Sequence, residues 1–230
     1  MQNIFDGVLK AFNLLIQGDP QVMRITLLSL QVSSLATAIS LLLGLPLGTF
    51  LALARFPTRR FWISLVNTGM ALPPVVVGLV VSIFLWRNGP LGFLRMIYTP
   101  GAMVVAQVLI AFPVCAGLTL TALQQLDPRL QTQLLGLGAS RIQMIIQLWK
   151  EARLPLIAAL IAAFGSVISE VGASMMVGGN LLNSTRVLTT AIVLETSKGL
   201  FASAIALSLI LLLIAFIVNL ALTTIQQRRK

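Results

Sequence analysis

The chain has 230 residues, 57% of them hydrophobic and 10% charged, against about 25% charged in ordinary soluble domains. A mean hydropathy of +0.97 excludes a soluble globule and a disordered chain, and a lone cysteine excludes a disulfide scaffold. The net charge of +10 does not point to nucleic acid, because the basic residues stand singly or in short clusters between apolar runs, as membrane topology requires.

The expectation is an all-α, polytopic membrane protein. Residues 1–24 read as an amphipathic segment lying in the interface: Ile4, Val8, Phe12 and Leu15 share a helical face, and Gly18-Asp19-Pro20 ends it. The run is too short for a further span, and without a basic leading region it does not read as a cleaved signal peptide. Residues 25–230 form the transmembrane domain. Five stretches, at about 26–54, 61–86, 101–123, 154–177 and 200–225, are long enough to cross roughly 30 Å of hydrocarbon. Ten basic residues, including Arg55, Arg59, Arg60, Arg141, Lys150 and Arg228 to Lys230, then fall on one side and six on the other. The positive-inside rule puts the N-terminus outside and the C-terminus inside.

In the first span Ser29, Ser33, Thr37, Ser40, Gly44 and Gly48 recur at helical spacing. Such a stripe serves close helix packing or lines a path with uncharged donors. Trp62 and Trp86 bracket the second span as interfacial anchors, about 36 Å apart on a continuous helix. Within it Pro73 and Pro74 remove two donors and predict a kink, either a plain bend or the mark of a helix at the bundle centre. The fourth span places Ala163, Ser166, Glu170, Ala173, Ser174 and Val177 on one face. A carboxyl at that depth must turn inward. With no second buried acid, His or Lys to relay a proton, Glu170 reads as holding neighbouring helices in register.

The segment 124–153 between the third and fourth spans is the longest inner loop. Asp127 is placed to cap a helix with Pro128 at its first position, Gly138 to end it with positive φ, and Ser140 to cap a second helix carrying Ile142, Ile145, Ile146 and Trp149 on one side. This helix–turn–helix is expected on the cytoplasmic face, as a docking surface or as an interfacial helix pair packed under its own bundle. In the outer loop 178–199, Gly178-Gly179-Asn180 precede an amphipathic surface helix from about Val187 to Ser197, capped by Ser184 or Thr185, with Arg186 and Lys198 as solvated charges or as attractors of an anion or an acidic partner. The chain has no His, its one thiol, Cys115, lies in an apolar run, and no P-loop motif is present. No metal site, cofactor or catalytic group is expected.

On these residues the chain resembles the permease subunits of binding-protein-dependent ABC importers, whose hallmark is a cytoplasmic E-A-A-x3-G-x9-I-x-L-P loop. Gly138, Leu154 and Pro155 match it. Thr132, Gln133 and Leu134 replace E-A-A, Ala152 replaces the isoleucine, and the interval from Gly138 to Pro155 is four residues longer, close to one helical turn. The runs Ala71-Leu72-Pro73-Pro74-Val75-Val76-Val77-Gly78, Asn88-Gly89-Pro90-Leu91-Gly92 and Leu126-Asp127-Pro128-Arg129-Leu130 resemble molybdate and tungstate permeases. Ser169 to Asn180 and Thr185 to Thr196 resemble the tungstate type. The resemblance implies a five-helix, type I importer-like permease core in the inner or plasma membrane. It implies a homodimer, two cytoplasmic ATP-binding subunits, and an extracytoplasmic protein that delivers an oxyanion, tungstate or else molybdate or another small anion. Gly138, Ala139, Ser140, Arg141, Ile142, Ile145, Leu154 and Pro155 would couple to the ATPase; Ser33, Thr37, Ser40, Pro73, Pro74, Ser166, Glu170 and Ser174 would form the path or its gate. A stand-alone secondary transporter or channel would instead show intramembrane ionisable pairs or inverted repeats, and a scaffold would need no kinked span.

An oxyanion path needs donors that do not trap the ion, and no basic residue lies mid-membrane here. Neutral substitutions at Ser33 or Thr37 are therefore expected to change the rate of uptake into vesicles more than the preference for tungstate over another anion; a switch of preference would contradict a path built from uncharged donors.

Overall fold

The computed structural model describes the backbone of residues 2–227 and the side chains of all of these but 2–4, 12, 14 and 15. The described residues form α-helices in this order: α1 Gln2–Gln17, α2 Pro20–Leu53, α3 Arg59–Met70, α4 Pro74–Leu85, α5 Pro100–Gln124, α6 Pro128–Gly136, α7 Arg141–Glu151, α8 Arg153–Ile168, α9 Gly172–Gly178, α10 Leu188–Ser197 and α11 Phe201–Gln227. Three of them, α2, α5 and α11, are long and apolar enough to cross a membrane. The basic cluster Arg228, Arg229 and Lys230 lies outside the described residues.

The centre is the seam between α2 and α5. The stripe Ser29, Ser33, Thr37, Ser40, Gly44 and Gly48 is buried throughout. A Cβ added at Gly44 would come within 2.6 Å of Cys115 Cβ, and one at Gly48 would strike the Ala116 carbonyl oxygen. The absent side chains bring the two backbones together, as small residues do between membrane helices. Ser40 Oγ adds a bond across the seam to the Val108 carbonyl at 3.3 Å, while Thr37 Oγ1 donates to its own helix at the Ser33 carbonyl, 2.7 Å away. Packing against α5 thus accounts for the Ser40, Gly44 and Gly48 part of this stripe.

The expected second span is not one kinked helix. It breaks at Ala71–Pro73 into α3 and α4, whose axes differ by 100°. Pro74 cannot donate, and the ring of each proline disfavours helix in the residue before it, so the chain stops and restarts with Pro73 as cap. Two 12-residue arms at that angle put their far ends about 23 Å apart, not the 36 Å of a straight rod. The expected fourth span is also divided. α8 ends at Ile168 and α9 starts at Gly172, so Glu170 lies between two helices rather than on one face of a continuous helix.

At the N-terminus, Asp19 Oδ1 accepts from the amides of Gln21 and Val22 and starts α2 after Gly18 turns with φ +61°. α1 lies against α11, with Lys10 Nζ donating to Ser203 Oγ at 2.6 Å and Gly7 facing Ile205. Of its expected apolar face, Ile4, Phe12 and Leu15 lie outside the described side chains and Val8 is exposed; Ala11 is buried.

Gly48→Leu is expected to destabilise the chain by about 1–3 kcal/mol, the usual range for overpacking a close contact, and to lower its unfolding temperature in detergent. Gly136→Ala, where an added Cβ meets nothing, should leave that temperature unchanged.

Candidate functional site

Most of the residues expected to act fall in two regions. The first is a buried knot where α2, α5, α10 and the α8–α9 break converge. Glu170 is 6% exposed. Its Oε1 accepts from the Ala173 amide at 2.9 Å and its Oε2 from the Ser174 amide at 3.0 Å. These are amides of the first turn of α9, which have no partner within the helix. The Glu170 carbonyl accepts from Thr189 Oγ1 at 2.9 Å, joining the break to α10. Ser29 Oγ accepts from the Leu188 amide at 2.8 Å and donates to the Ile25 carbonyl, joining α10 to α2. Gln107 of α5, 3% exposed, reaches the Val167 carbonyl and Ser174 Oγ through Nε2 at 3.3 and 3.4 Å, while its Oε1 has no partner among the described residues. Ser33, Gln107, Glu170 and Thr189 line a crevice too narrow for a water molecule.

This arrangement offers hydroxyl and amide groups and one carboxylate held by backbone amides. It contains no nucleophile–base pair. It brings Ser33, Glu170 and Ser174 of the expected path together. Ser166 lies one turn before the break and bonds its own helix at the Ala163 carbonyl. Thr37 and Ser40 belong to the α2–α5 seam. Pro73 and Pro74 are exposed, beside Val75, which packs near Gly172 of α9. Gln107 and Thr189 were missed by the sequence reading; Gln107 is the one amide inside the apolar run of α5 and was visible there.

The outer loop also differs from expectation. Neither Ser184 nor Thr185 caps α10. Thr185 Oγ1 donates to the Gly178 carbonyl and accepts from the Leu181 amide, bracing the loop. The first turn of α10, Leu188 to Ala191, is buried rather than lying on the surface, so the Leu188 amide is served by Ser29 and the amide of the preceding Val187 by Thr190. Lys198 is paired with Glu195 at 3.0 Å.

The second region is the helix–turn–helix of α6 and α7. Asp127 Oδ1 accepts from the Arg129 amide at 2.8 Å with Pro128 opening the helix. Gly138 has φ +84°. Ser140 and Gln143 form a reciprocal capping box on α7. Ile142, Ile145, Ile146 and Trp149 do not share one environment. Met144 and Leu148 are the buried positions, with Ile145 and Trp149 partly covered against the ends of α2 and α5; Ile142 is 72% exposed and Leu137 is 85% exposed. The reason is that α7 needs one apolar side to seat on its own bundle. Trp149 Nε1 donates to Thr49 Oγ1 at 2.9 Å, fixing α7 to α2. Gly138, Ala139, Ser140, Arg141 and Ile142 cluster at the exposed turn. Leu154 and Pro155 sit beyond the far end of α7, about 16 Å away along the helix, where α7 and α8 meet at 73° and the Leu154 carbonyl accepts from Gln226 Nε2 of α11.

The described residues thus form an all-helical bundle with a buried knot of hydroxyl, amide and carboxylate groups and a capped, partly apolar turn at one end. Residues 44–230 match the family of binding-protein-dependent transport system inner membrane components, and the chain belongs to that family. It is 42% identical to the tungstate uptake system permease protein TupB of Peptoclostridium acidaminophilum over 99% of this chain and 100% of that one. It is 29% identical to the molybdenum transport system permease protein ModB of Escherichia coli K12 over 86% and 93% of the two chains. In fold it is similar to a chain of a bacterial alginate ABC transporter, crystallised with an alginate-bound periplasmic protein, with a TM-score of 0.79 and 17% identity over 96% and 86% of the chains.

Glu170→Ala leaves two buried amides without an acceptor and is expected to cost about 1–3 kcal/mol, read as a lower unfolding temperature in detergent. Glu170→Gln keeps one acceptor oxygen and should lose less.

Proposed function

We propose that this chain is the path-forming permease of an ATP-driven importer for an oxyanion, tungstate, working as a homodimer above two ATPase subunits and below an extracytoplasmic binding protein. The observation that carries this reading is the exposed turn Leu137–Ile142, held rigid by the Ser140 capping box and fixed to α2 through Trp149. Membership of a binding-protein-dependent transport family and the likeness to a tungstate permease along the whole chain support the cargo and the division of labour. The relative named for molybdenum transport supports molybdate as a second cargo.

In this reading the N-terminus is outside and the C-terminus inside. α2, α5 and α11 are three crossings, and the broken pairs α3–α4 and α8–α9 are the other two. The exposed side of α4, with Val75, Val76, Leu79 and Ile83, faces the second copy across the path. Ser33, Glu170 and Ser174 form a gate that is shut when the crevice between them closes, and Pro73-Pro74 is the hinge beside it. Closure of the ATPases moves the turn at Gly138, Ala139, Ser140, Arg141 and Ile142. Trp149 passes that displacement to α2, and Leu154, Pro155 and Gln226 pass it to α8 and α11. Neutral donors suit such a path, because tight binding would stop release.

Leu137→Asp with Ile142→Asp alters only exposed positions. The double variant is expected to fold with an unchanged unfolding temperature and to lose at least tenfold of the ATPase that co-purifies with the wild-type chain. Undiminished ATPase retention, or vesicle uptake that proceeds with no ATPase present, would overturn the assignment.

A further inference from the structure

At the end of α2 remote from the helix–turn–helix, two arginines line one cavity. Arg24 on α2 and Arg186 on the loop before α10 face a space of about 140 Å³ with Gln21, Gln31, Asn183 and Ser184. About 10–15 Å³ of such space admits one water, so it holds the four oxygens of a tetrahedral oxyanion with solvent to spare. No carboxylate lines it. Asp19 and Glu195 line the adjoining cavity with Lys10 and Arg186, and both acids are engaged, Asp19 with the first amides of α2 and Glu195 with Lys198.

The two cations are presented differently. Arg186 is part-buried and its guanidinium is aimed by Asn180, through Nε to Oδ1 at 3.2 Å and through Nη2 to the carbonyl oxygen at 3.3 Å. The loop beneath it is pinned by left-handed residues, Asn180 at φ +50° and Asn183 at φ +62°, and by Thr185. Arg24 is exposed and makes no hydrogen bond or ion pair with any described residue. Two guanidiniums on one small cavity repel each other unless an anion joins them, and the planar fork of each suits oxyanion oxygens.

We infer that Arg24 and Arg186 form a weak receiving site for a free tetrahedral oxyanion on the permease itself, Arg24 lying about 38 Å along α2 from Thr49. That the physiological ligand is the imported ion rests on the function proposed above; the binding itself does not. The ion is held by one preset guanidinium and one mobile one, and both stay solvent-accessible, so affinity is low and falls with ionic strength. A low-affinity site of this kind raises the local concentration of the ion at the mouth without retaining it.

The test is tungstate binding by calorimetry to the full chain in phosphatidylcholine nanodiscs, with and without phosphatidylglycerol, for wild type, Arg24→Gln, Arg24→Lys and a Lys198→Gln control. Expected are saturable binding to wild type, at least tenfold weakening in Arg24→Gln, partial retention in Arg24→Lys, no change in Lys198→Gln, and no competition by phosphatidylglycerol. Equal binding by wild type and Arg24→Gln overturns the site. So does Arg24-dependent retention of phosphatidylglycerol that excludes tungstate, which assigns the cavity to a lipid phosphate. So does tungstate binding that appears only when an acidic binding protein is added and that depends on Arg24 through that protein. Failure of tungstate uptake by the assembled transporter, with Arg24-dependent binding intact, would sink the importer reading and leave the site standing.

Discussion

The interior of this bundle depends on the carboxylate of Glu170 accepting the amides of Ala173 and Ser174. A bilayer core supplies no hydrogen bonds, so a helix that stops and restarts within it must satisfy its freed backbone from inside the protein. A charged group would ordinarily be costly there. Here the cost is offset because the acceptor and the orphaned donors cancel each other's need. The result is a short re-started helix, α9, fixed against α4 through Gly78 and Ala173 and tied through the Glu170 carbonyl to Thr189 of α10. Removing the break would leave Glu170 with no reason to be buried, and removing Glu170 would leave the break unsatisfied.

The same economy shapes the rest of the molecule. The α2–α5 seam has almost no side chain between its backbones at Gly44 and Gly48, and such close packing resists smooth deformation. Around that seam the links are few and directional: Trp149 to Thr49, Arg59 Nε to the Leu51 carbonyl at 2.7 Å, and Gln226 to the Leu154 carbonyl. All three lie at the end that carries α6 and α7. The opposite end has the Ser29–Leu188 bond and the braced loop before α10. The polar knot around Glu170 lies along α2 between these two ends.

Much of the helix–turn–helix was legible in the sequence because its determinants are local. Asp127 with Pro128, Gly138 with its positive φ, and Ser140 with Gln143 each act within a few residues. The stripe on the first span was legible as a periodicity, though its two meanings were separable only once α5 was seen against it. Ile142, Ile145, Ile146 and Trp149 do fall on one side of α7, within about 100° of arc, but the helix seats on its bundle chiefly through the adjoining side, Met144 and Leu148, and so leaves Ile142 and Ile146 exposed. Ser184 and Thr185 looked like caps for α10, but a hydroxyl from residue 29 took that role, a partner no local pattern announces.

Composition and hydropathy by themselves pointed to a multi-pass membrane protein, and local signals set where its helices start and stop in the loop 124–153, since both depend on solvent preference and on neighbours close along the chain. Only the tertiary structure decided that two of the expected spans are broken, by 100° at Pro73-Pro74 and around Glu170, that Gln107 and Thr189 join the knot, and that Arg24 and Arg186 share a cavity. Those facts rest on contacts between residues far apart in sequence, whose geometry is set by how closely glycine and alanine let the helices approach.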